Sequence, residues 1–122
     1  VCRLLLQYEL CRRAVLPILE AMSVGTVAIS PDSTAMADYI DSDNSFVINS
    51  KLVKCDPRSN SVDGVEFNWF EPDLEMAVEQ LESSYAASKS VYKRKSKKAI
   101  ATVKRVYGSK AISRVLKDAL ND

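Results

Sequence analysis

The segment PILEAMSVGTVAIS, residues 17–30, decides how this chain folds. Pro17 suits the first turn of a helix, where its missing N–H would have no intrahelical partner in any case. Gly25 suits the left-handed residue just beyond a helix end. The apolar run at residues 27–29 is typical of a strand that is buried on both faces. The segment therefore predicts a short helix, a glycine stop and a buried strand.

Other apolar runs extend this segment into an α/β fold. The three leucines at residues 4–6 predict a strand before the helix. The order strand, helix, strand defines a βαβ unit, whose two strands run parallel and whose ligands bind beyond their carboxyl ends. Turn residues at 30–34 precede a short helix predicted at residues 36–40, and a third strand is predicted at residues 46–48.

The middle of the chain is polar, and residues 49–64 are predicted to form a surface loop. A solvated loop is the favoured interpretation, although three of its cations could reach a ligand: Lys51, Lys54 and Arg58. A short half-buried strand or an extended edge follows, where Val65, Phe67 and Trp69 alternate with polar residues. We expect Trp69 to belong to the core because its apolar neighbours share its face.

Three helices are predicted in the last third of the chain. Asp73 caps the first helix, whose apolar residues step along one face: Leu74, Val78, Leu81 and Tyr85. The second helix covers residues 91–107 and ends at Gly108, with three residues directed inward: Ala99, Val103 and Val106. Ser109 caps the third helix, which is apolar along one side: Ile112, Val115, Leu116 and Ala119.

Length and composition predict a single domain over residues 1–122, with a strand and helix core at 1–72 and helices packing on it at 73–120. The chain is 47% hydrophobic, which is enough for a core. No apolar run has the length of a membrane span, and no signal-peptide pattern opens the chain. It begins at Val1 rather than methionine, which favours the interpretation that it is part of a longer protein.

The content of cysteine and histidine limits the disulfides, metal sites and catalytic nucleophile pairs that this chain can form. Three cysteines stand far apart at Cys2, Cys11 and Cys55, which favours reduced thiols in a cytoplasmic protein over disulfides or a zinc site. The chain has no histidine. This excludes Ser–His and Cys–His nucleophile pairs and imidazole metal ligands within this chain.

Charge is distributed unevenly. Residues 1–88 hold 14 acids and 6 bases, whereas residues 89–117 hold 11 bases and no acid. The favoured interpretation of the basic segment is the solvated face of packed amphipathic helices. A second interpretation is attachment to an anionic membrane surface. Nucleic acid is the least favoured partner, because no nucleic-acid-binding motif is present.

Four motifs in order carry a resemblance to a known family. Residues 17–30 follow the pattern P-x-x-E-A-M-x-x-G-x-P-V-I, matching it at Pro17, Glu20, Ala21, Met22 and Gly25. The runs DYI at 38–40, NSFVI at 44–48 and WFEPD at 69–73 stand where that family has Glu/Asp-x-Ile, N-G-F/L-L-V and W-x-x-P-D/S. From about Leu4 to about Leu120, the chain resembles the carboxyl-terminal, donor-binding domain of GT-B-type retaining glycosyltransferases of group 1.

The resemblance implies an α/β fold with a Rossmann-like parallel sheet followed by helices. It implies that Glu20 binds the ribose of a nucleotide-sugar donor, since a carboxylate offers two acceptor oxygens to two hydroxyls. A glutamate in the first helical turn that is solvated, or that complements the helix dipole, is the alternative. The resemblance also implies that the backbone amides of Ala14, Val15 and Leu16 contact the donor sugar and diphosphate. An ordinary apolar loop that covers the end of the sheet is equally open.

Arg12 is the main departure from the family pattern. The family has a second glutamate eight residues before the ribose-binding one, and that glutamate contacts the donor sugar. An arginine can instead bind a phosphate or a sugar carboxylate through two parallel hydrogen bonds. Arg12 is therefore a candidate donor contact, or a mark of lost activity. Val27 stands where the pattern has a proline, which affects only the stiffness of the strand entry.

Two functional hypotheses follow. In the first, the chain is the nucleotide-sugar-binding part of a glycosyltransferase that retains anomeric configuration and uses neither metal nor cofactor. Its partners are the donor and an amino-terminal domain that this chain lacks, so the chain alone is expected to be inactive. In the second, a GT-B domain without enzymatic activity binds a partner or a membrane through its basic helices. Both place the protein in the cytoplasm, free or peripheral to a membrane.

Overall fold

The computed structural model describes residues 4–6, 16–54 and 68–121. Its strands are β1 (Leu4–Leu6), β2 (Val27–Pro31), β3 (Ser45–Ile48), β4 (Ser50–Lys54) and β5 (Asn68–Pro72). Its α-helices are α1 (Leu16–Ser23), α2 (Leu74–Ala86), α3 (Lys89–Tyr107) and α4 (Ser109–Asn121). A 3-10 helix covers Thr34–Asp38.

The first three strands form a parallel sheet in the order β1-β2-β3. Ala28 of the central strand pairs with Leu5 on one side and with Ser45 on the other. Helix α1 connects β1 to β2, so the predicted βαβ unit is present. A mixed α/β fold with a small parallel sheet and carboxyl-terminal helices is confirmed.

The glycine stop predicted at residue 25 is confirmed in detail. Gly25 has a φ of 84°, the left-handed conformation that costs other residues free energy. The N–H of Gly25 donates to the carbonyl of Met22 at 3.0 Å, and the N–H of Thr26 donates to that of Ala21 at 2.9 Å. This pair of hydrogen bonds defines a Schellman motif, which ends α1 and directs the chain into β2.

Strand β2 is buried along its whole length, as its apolar sequence predicts. Because side chains alternate across a strand, its residues enter two separate cores. Ala28 packs with α1, the 3-10 helix and α3 on one face of the sheet. Val27 and Ile29 pack with Phe46, Ile48 and Ala77 of α2 on the other face. Helices thus cover both faces of the sheet.

The predicted loop at 49–64 is wrong over its first residues. Strand β4 pairs antiparallel with β5, and Lys51 lies opposite Glu71. Lys51 and Lys54 are therefore strand residues, while Arg58 lies outside the described residues. The strand was missed because it is mostly exposed and owes its order to hydrogen bonds with a distant segment, so its hydropathy gives no signal.

Two further expectations need correction in this region. Trp69 lies on β5 and is only half-buried, outside both core clusters, so the prediction that it belongs to the core is wrong. The residues expected to share its face, Val65 and Phe67, lie outside the described residues. The short helix predicted at 36–40 begins and ends two residues earlier, at Thr34 and Asp38, and is a 3-10 helix.

The three carboxyl-terminal helices are confirmed, but they pack differently from one another. The Asp73 side chain accepts a hydrogen bond from the N–H of Met76 and caps α2, as predicted. Ala99 of α3 is fully buried against the sheet and α1. Helix α4 has no buried residue and packs mainly against α3. The apolar faces of α2 and α4 are exposed, and the exposed residues of α2 are Leu74, Val78, Leu81 and Tyr85.

Candidate functional site

The carboxyl edge of the parallel sheet brings together three chain segments. Since α1 returns antiparallel to the strands, its first residue, Leu16, lies at this edge. The turn after β2 and the residues after β3 reach the same edge. The Ser33 and Ser50 hydroxyls lie 3.3 Å apart there and join the two segments by a hydrogen bond. Ligands of α/β sheets bind at such edges.

Glu20 lies on the exposed side of α1. It follows Leu16 by four residues, which is roughly 6 Å along a helix axis. The buried side of the same helix holds Ile18, Leu19 and Met22. Among the described residues, the Glu20 carboxylate has no hydrogen-bond or ion-pair partner. Its two oxygens are therefore available to accept hydrogen bonds from a vicinal diol.

The start of α1 has some features of an anion-binding site. Leu16 is its first residue and is 64% exposed, and the first turn has no acidic side chain. The first backbone N–H groups of a helix have no intrahelical acceptor and carry the positive end of the dipole. The other predicted donor contacts, Arg12, Ala14 and Val15, lie outside the described residues.

Thr34 lies at this edge and has a backbone conformation that the sequence, which identified it only as a turn and capping residue, did not predict. Its φ is 59°, a left-handed conformation that is an outlier for a β-branched residue. Its hydroxyl donates to the carbonyl of Ser33 at 2.6 Å. Such strain costs of order 1–3 kcal/mol and clusters at functional sites. Residues 30–34 were identified as a turn, but glycine or asparagine usually marks a positive φ, and this turn has neither.

The motif at residues 44–48 stabilises the fold. The Asn44 side chain is buried, and its amide donates to the carbonyl of Tyr39 at 2.8 Å and to the Thr102 hydroxyl at 3.3 Å. Its oxygen accepts from the N–H of Asp41 at 3.1 Å and from the Ser45 hydroxyl at 2.8 Å. All its polar groups are thus satisfied within the protein, and it joins the turn before β3 to α3.

Lys95 is the one cation of the basic segment that is buried. Its ammonium donates to the carbonyls of Ser42 and Ser45 and lies 4.9 Å from the centre of the Phe46 ring. Burial lowers the pKa of this ammonium from 10.5, and the charge of Arg94 lowers it further, whereas Asp43 and Asp41 act in the opposite direction. Lys95 therefore attaches α3 to the turn before β3.

We expect Lys95→Met to lower the free energy of unfolding by about 2 kcal/mol at neutral pH, because two carbonyls lose their donor. The pH dependence should change as well. The pKa of Lys95 is lower in the folded chain than in the unfolded chain, so the unfolded chain binds more protons between the two values. Stability therefore rises with pH across this window, up to about 10.5, and Lys95→Met should remove that rise.

Urea denaturation over a pH series measures both effects. Lys98→Met is the matched control, because Lys98 is exposed on the same helix and its loss should change little. A Lys95→Met protein as stable as this control, with an unchanged pH dependence, would contradict the assigned role.

Two properties bear on ligands and membranes. Within residues 4–6, 16–54 and 68–121, no three acidic, histidine or cysteine side chains group in a way that could hold a metal ion. No helix in the described part of the chain is both long enough and apolar enough to cross a bilayer.

Comparison of the chain with protein-family profiles, with curated proteins and with solved structures found no significant match of any of the three kinds.

Proposed function

We propose that this chain is the donor-nucleotide-binding part of a GT-B-type retaining glycosyltransferase. The observation that supports the proposal best is the position of Glu20 on the helix of a parallel βαβ unit, where the residue is exposed and its carboxylate has no partner among the described residues. In this proposal the described sheet belongs to a Rossmann-like domain, and the motifs at 17–30, 38–40, 44–48 and 69–73 are those of the family.

Each part of the donor has a proposed contact. The Glu20 carboxylate accepts hydrogen bonds from both ribose hydroxyls, and these are the stronger because the acceptor is charged. The diphosphate lies against the amino terminus of α1, where Ala14, Val15 and Leu16 offer backbone N–H groups. Arg12 supplies a cation for a phosphate or for an acidic sugar.

The proposed reaction transfers the sugar from the nucleoside diphosphate to an acceptor with retention of configuration. Negative charge develops on the leaving diphosphate, and fixed N–H dipoles and cations stabilise it. Holding the donor rigidly against the sheet edge keeps its reacting bond in the right orientation, which lowers the activation free energy of the transfer. Acceptor binding falls to an amino-terminal domain across a cleft, so the proposal assigns this chain donor binding and no turnover of its own.

Calorimetric titration with UDP, GDP and ADP tests this proposal. We expect one of the three to bind with one-to-one stoichiometry. Inorganic diphosphate is the control, because it carries the charge without the ribose and could associate with the basic helices. A nucleoside diphosphate that binds no more tightly than inorganic diphosphate would contradict a ribose site. It would favour the second hypothesis, a domain without enzymatic activity that acts through α3 and α4.

A further inference from the structure

Helix α4 has an apolar half that is largely exposed in the described structure. Its apolar residues fall on one half of the helical circumference: Ala111, Ile112, Val115, Leu116, Ala119 and Leu120. The four large ones are 48%, 63%, 58% and 83% exposed at Ile112, Val115, Leu116 and Leu120. A helix of this length is marginal in water by itself, so the apolar half indicates a surface that completes it.

The opposite half of α4 is strongly basic. It presents Lys110, Arg114 and Lys117, against a single acid, Asp118. Where α3 meets α4, Lys104 and Arg105 join Lys110 and Arg114 around a cavity of about 280 Å³. Among the described residues, no ion pair neutralises any of these four cations. The corner between the two helices is therefore a concentrated positive charge.

The charge extends along α3 as well. Residues 89–117 hold 11 bases and no acid, and every one of these bases is exposed except Lys95. Contact between the basic helices of two copies of this chain would bring equal positive charges close together, which is unfavourable. An anionic lipid bilayer has negative headgroups at its surface and apolar acyl chains below them. It can therefore contact the basic half and the apolar half of α4 at the same time.

We infer that α4 binds the surface of an anionic lipid bilayer. Its apolar half enters the boundary between headgroups and acyl chains, and its cations, with those at the α3–α4 corner, lie near lipid phosphates. The inference goes beyond donor binding and does not depend on it, because α4 packs against α3 and makes no comparable contact with α1. Experiment can therefore contradict donor binding by α1 without contradicting bilayer binding by α4, and the reverse is also true.

Co-sedimentation of the protein with phosphatidylcholine vesicles, with and without phosphatidylglycerol, tests the inference. We expect binding only when phosphatidylglycerol is present, weakening as salt is added. Each cation near such a surface strengthens binding about five-fold, so reversing three of them should weaken it about a hundred-fold or more. The variant is Lys110→Glu with Arg114→Glu and Lys117→Glu, and its control is Lys51→Glu with Lys54→Glu on β4.

The apolar half of α4 has a matched pair of variants. Val115→Asp should abolish vesicle binding, whereas Val78→Asp on the exposed face of α2 should not change it. Both valines are more than half exposed, so neither change should unfold the protein, which circular dichroism checks. Equal binding to both kinds of vesicle, or full binding by the Val115→Asp protein, would overturn the inference. So would a dimer that depends on Val115 and forms in place of vesicle binding.

Discussion

Gly25→Val should lower the free energy of unfolding by about 3 kcal/mol. The left-handed backbone at φ 84° costs a residue with a Cβ atom roughly 1–2 kcal/mol. A Cβ atom there would also lie 2.7 Å from the Ser96 hydroxyl and 3.3 Å from the Ile100 side chain, both on α3. Forcing atoms into so tight a contact adds about 1–3 kcal/mol.

The same contact holds α1 against α3. The Ser96 hydroxyl donates to the carbonyl of Gly25 at 2.7 Å, so movement of Ser96 away from a new Cβ atom would also lose this hydrogen bond. Urea denaturation measures the change. The control is Val24→Ala, because Val24 is 65% exposed beside Gly25 and its truncation should change the free energy by less than about 0.5 kcal/mol. A Gly25→Val protein within that same range would contradict the assigned turn.

Glu20→Ala should weaken binding of the nucleoside diphosphate by about 10-fold to 100-fold. The loss corresponds to hydrogen bonds between a charged acceptor and the ribose, at about 1.5–3 kcal/mol. The free energy of unfolding should stay nearly constant, because Glu20 is exposed and its carboxylate has no partner among the described residues. A loss of binding without a loss of stability separates a ligand contact from a structural role.

Calorimetric titration of the unaltered protein and of the Glu20→Ala protein with the nucleotide gives the ratio of their dissociation constants. Glu79→Ala is the matched control, since Glu79 is an exposed glutamate on α2 and its removal changes the net charge equally. Binding of inorganic diphosphate should be the same in all three proteins. If Glu20→Ala and Glu79→Ala proteins bind the nucleotide equally well, Glu20 does not hold the ribose.

Local signals in the sequence predicted the part of the fold that surrounds Gly25. A helix start, a glycine stop and a doubly buried strand each depend on residues within a few positions of one another. The exposure of Glu20 also follows from the helical pattern, which places it opposite Ile18, Leu19 and Met22. The identity of its ligand does not follow from that pattern, because an exposed glutamate by itself favours a solvated side chain.

Features that depend on distant residues were missed. Strand β4 exists because it pairs with β5, and the ammonium of Lys95 can be buried because two carbonyls, of the turn before β3 and of its first residue, accept hydrogen bonds from it. Neither relation leaves a local trace in hydropathy. Periodicity likewise identified the apolar halves of α2 and α4 but could not predict that both would be exposed. A periodic pattern shows that an apolar face exists, and packing decides what covers it.

The proposed nucleoside diphosphate site lies at the carboxyl edge of the sheet, and amide chemical shifts report binding there residue by residue. The labelled protein would be titrated with the nucleotide that calorimetry identifies. A donor site predicts the largest shifts at Leu16 to Glu20 and at Asp32 to Thr34, with little change in α3 and α4. Shifts confined to the basic residues of α3 and α4 would contradict it, because they would reflect attraction between charges without a ribose site.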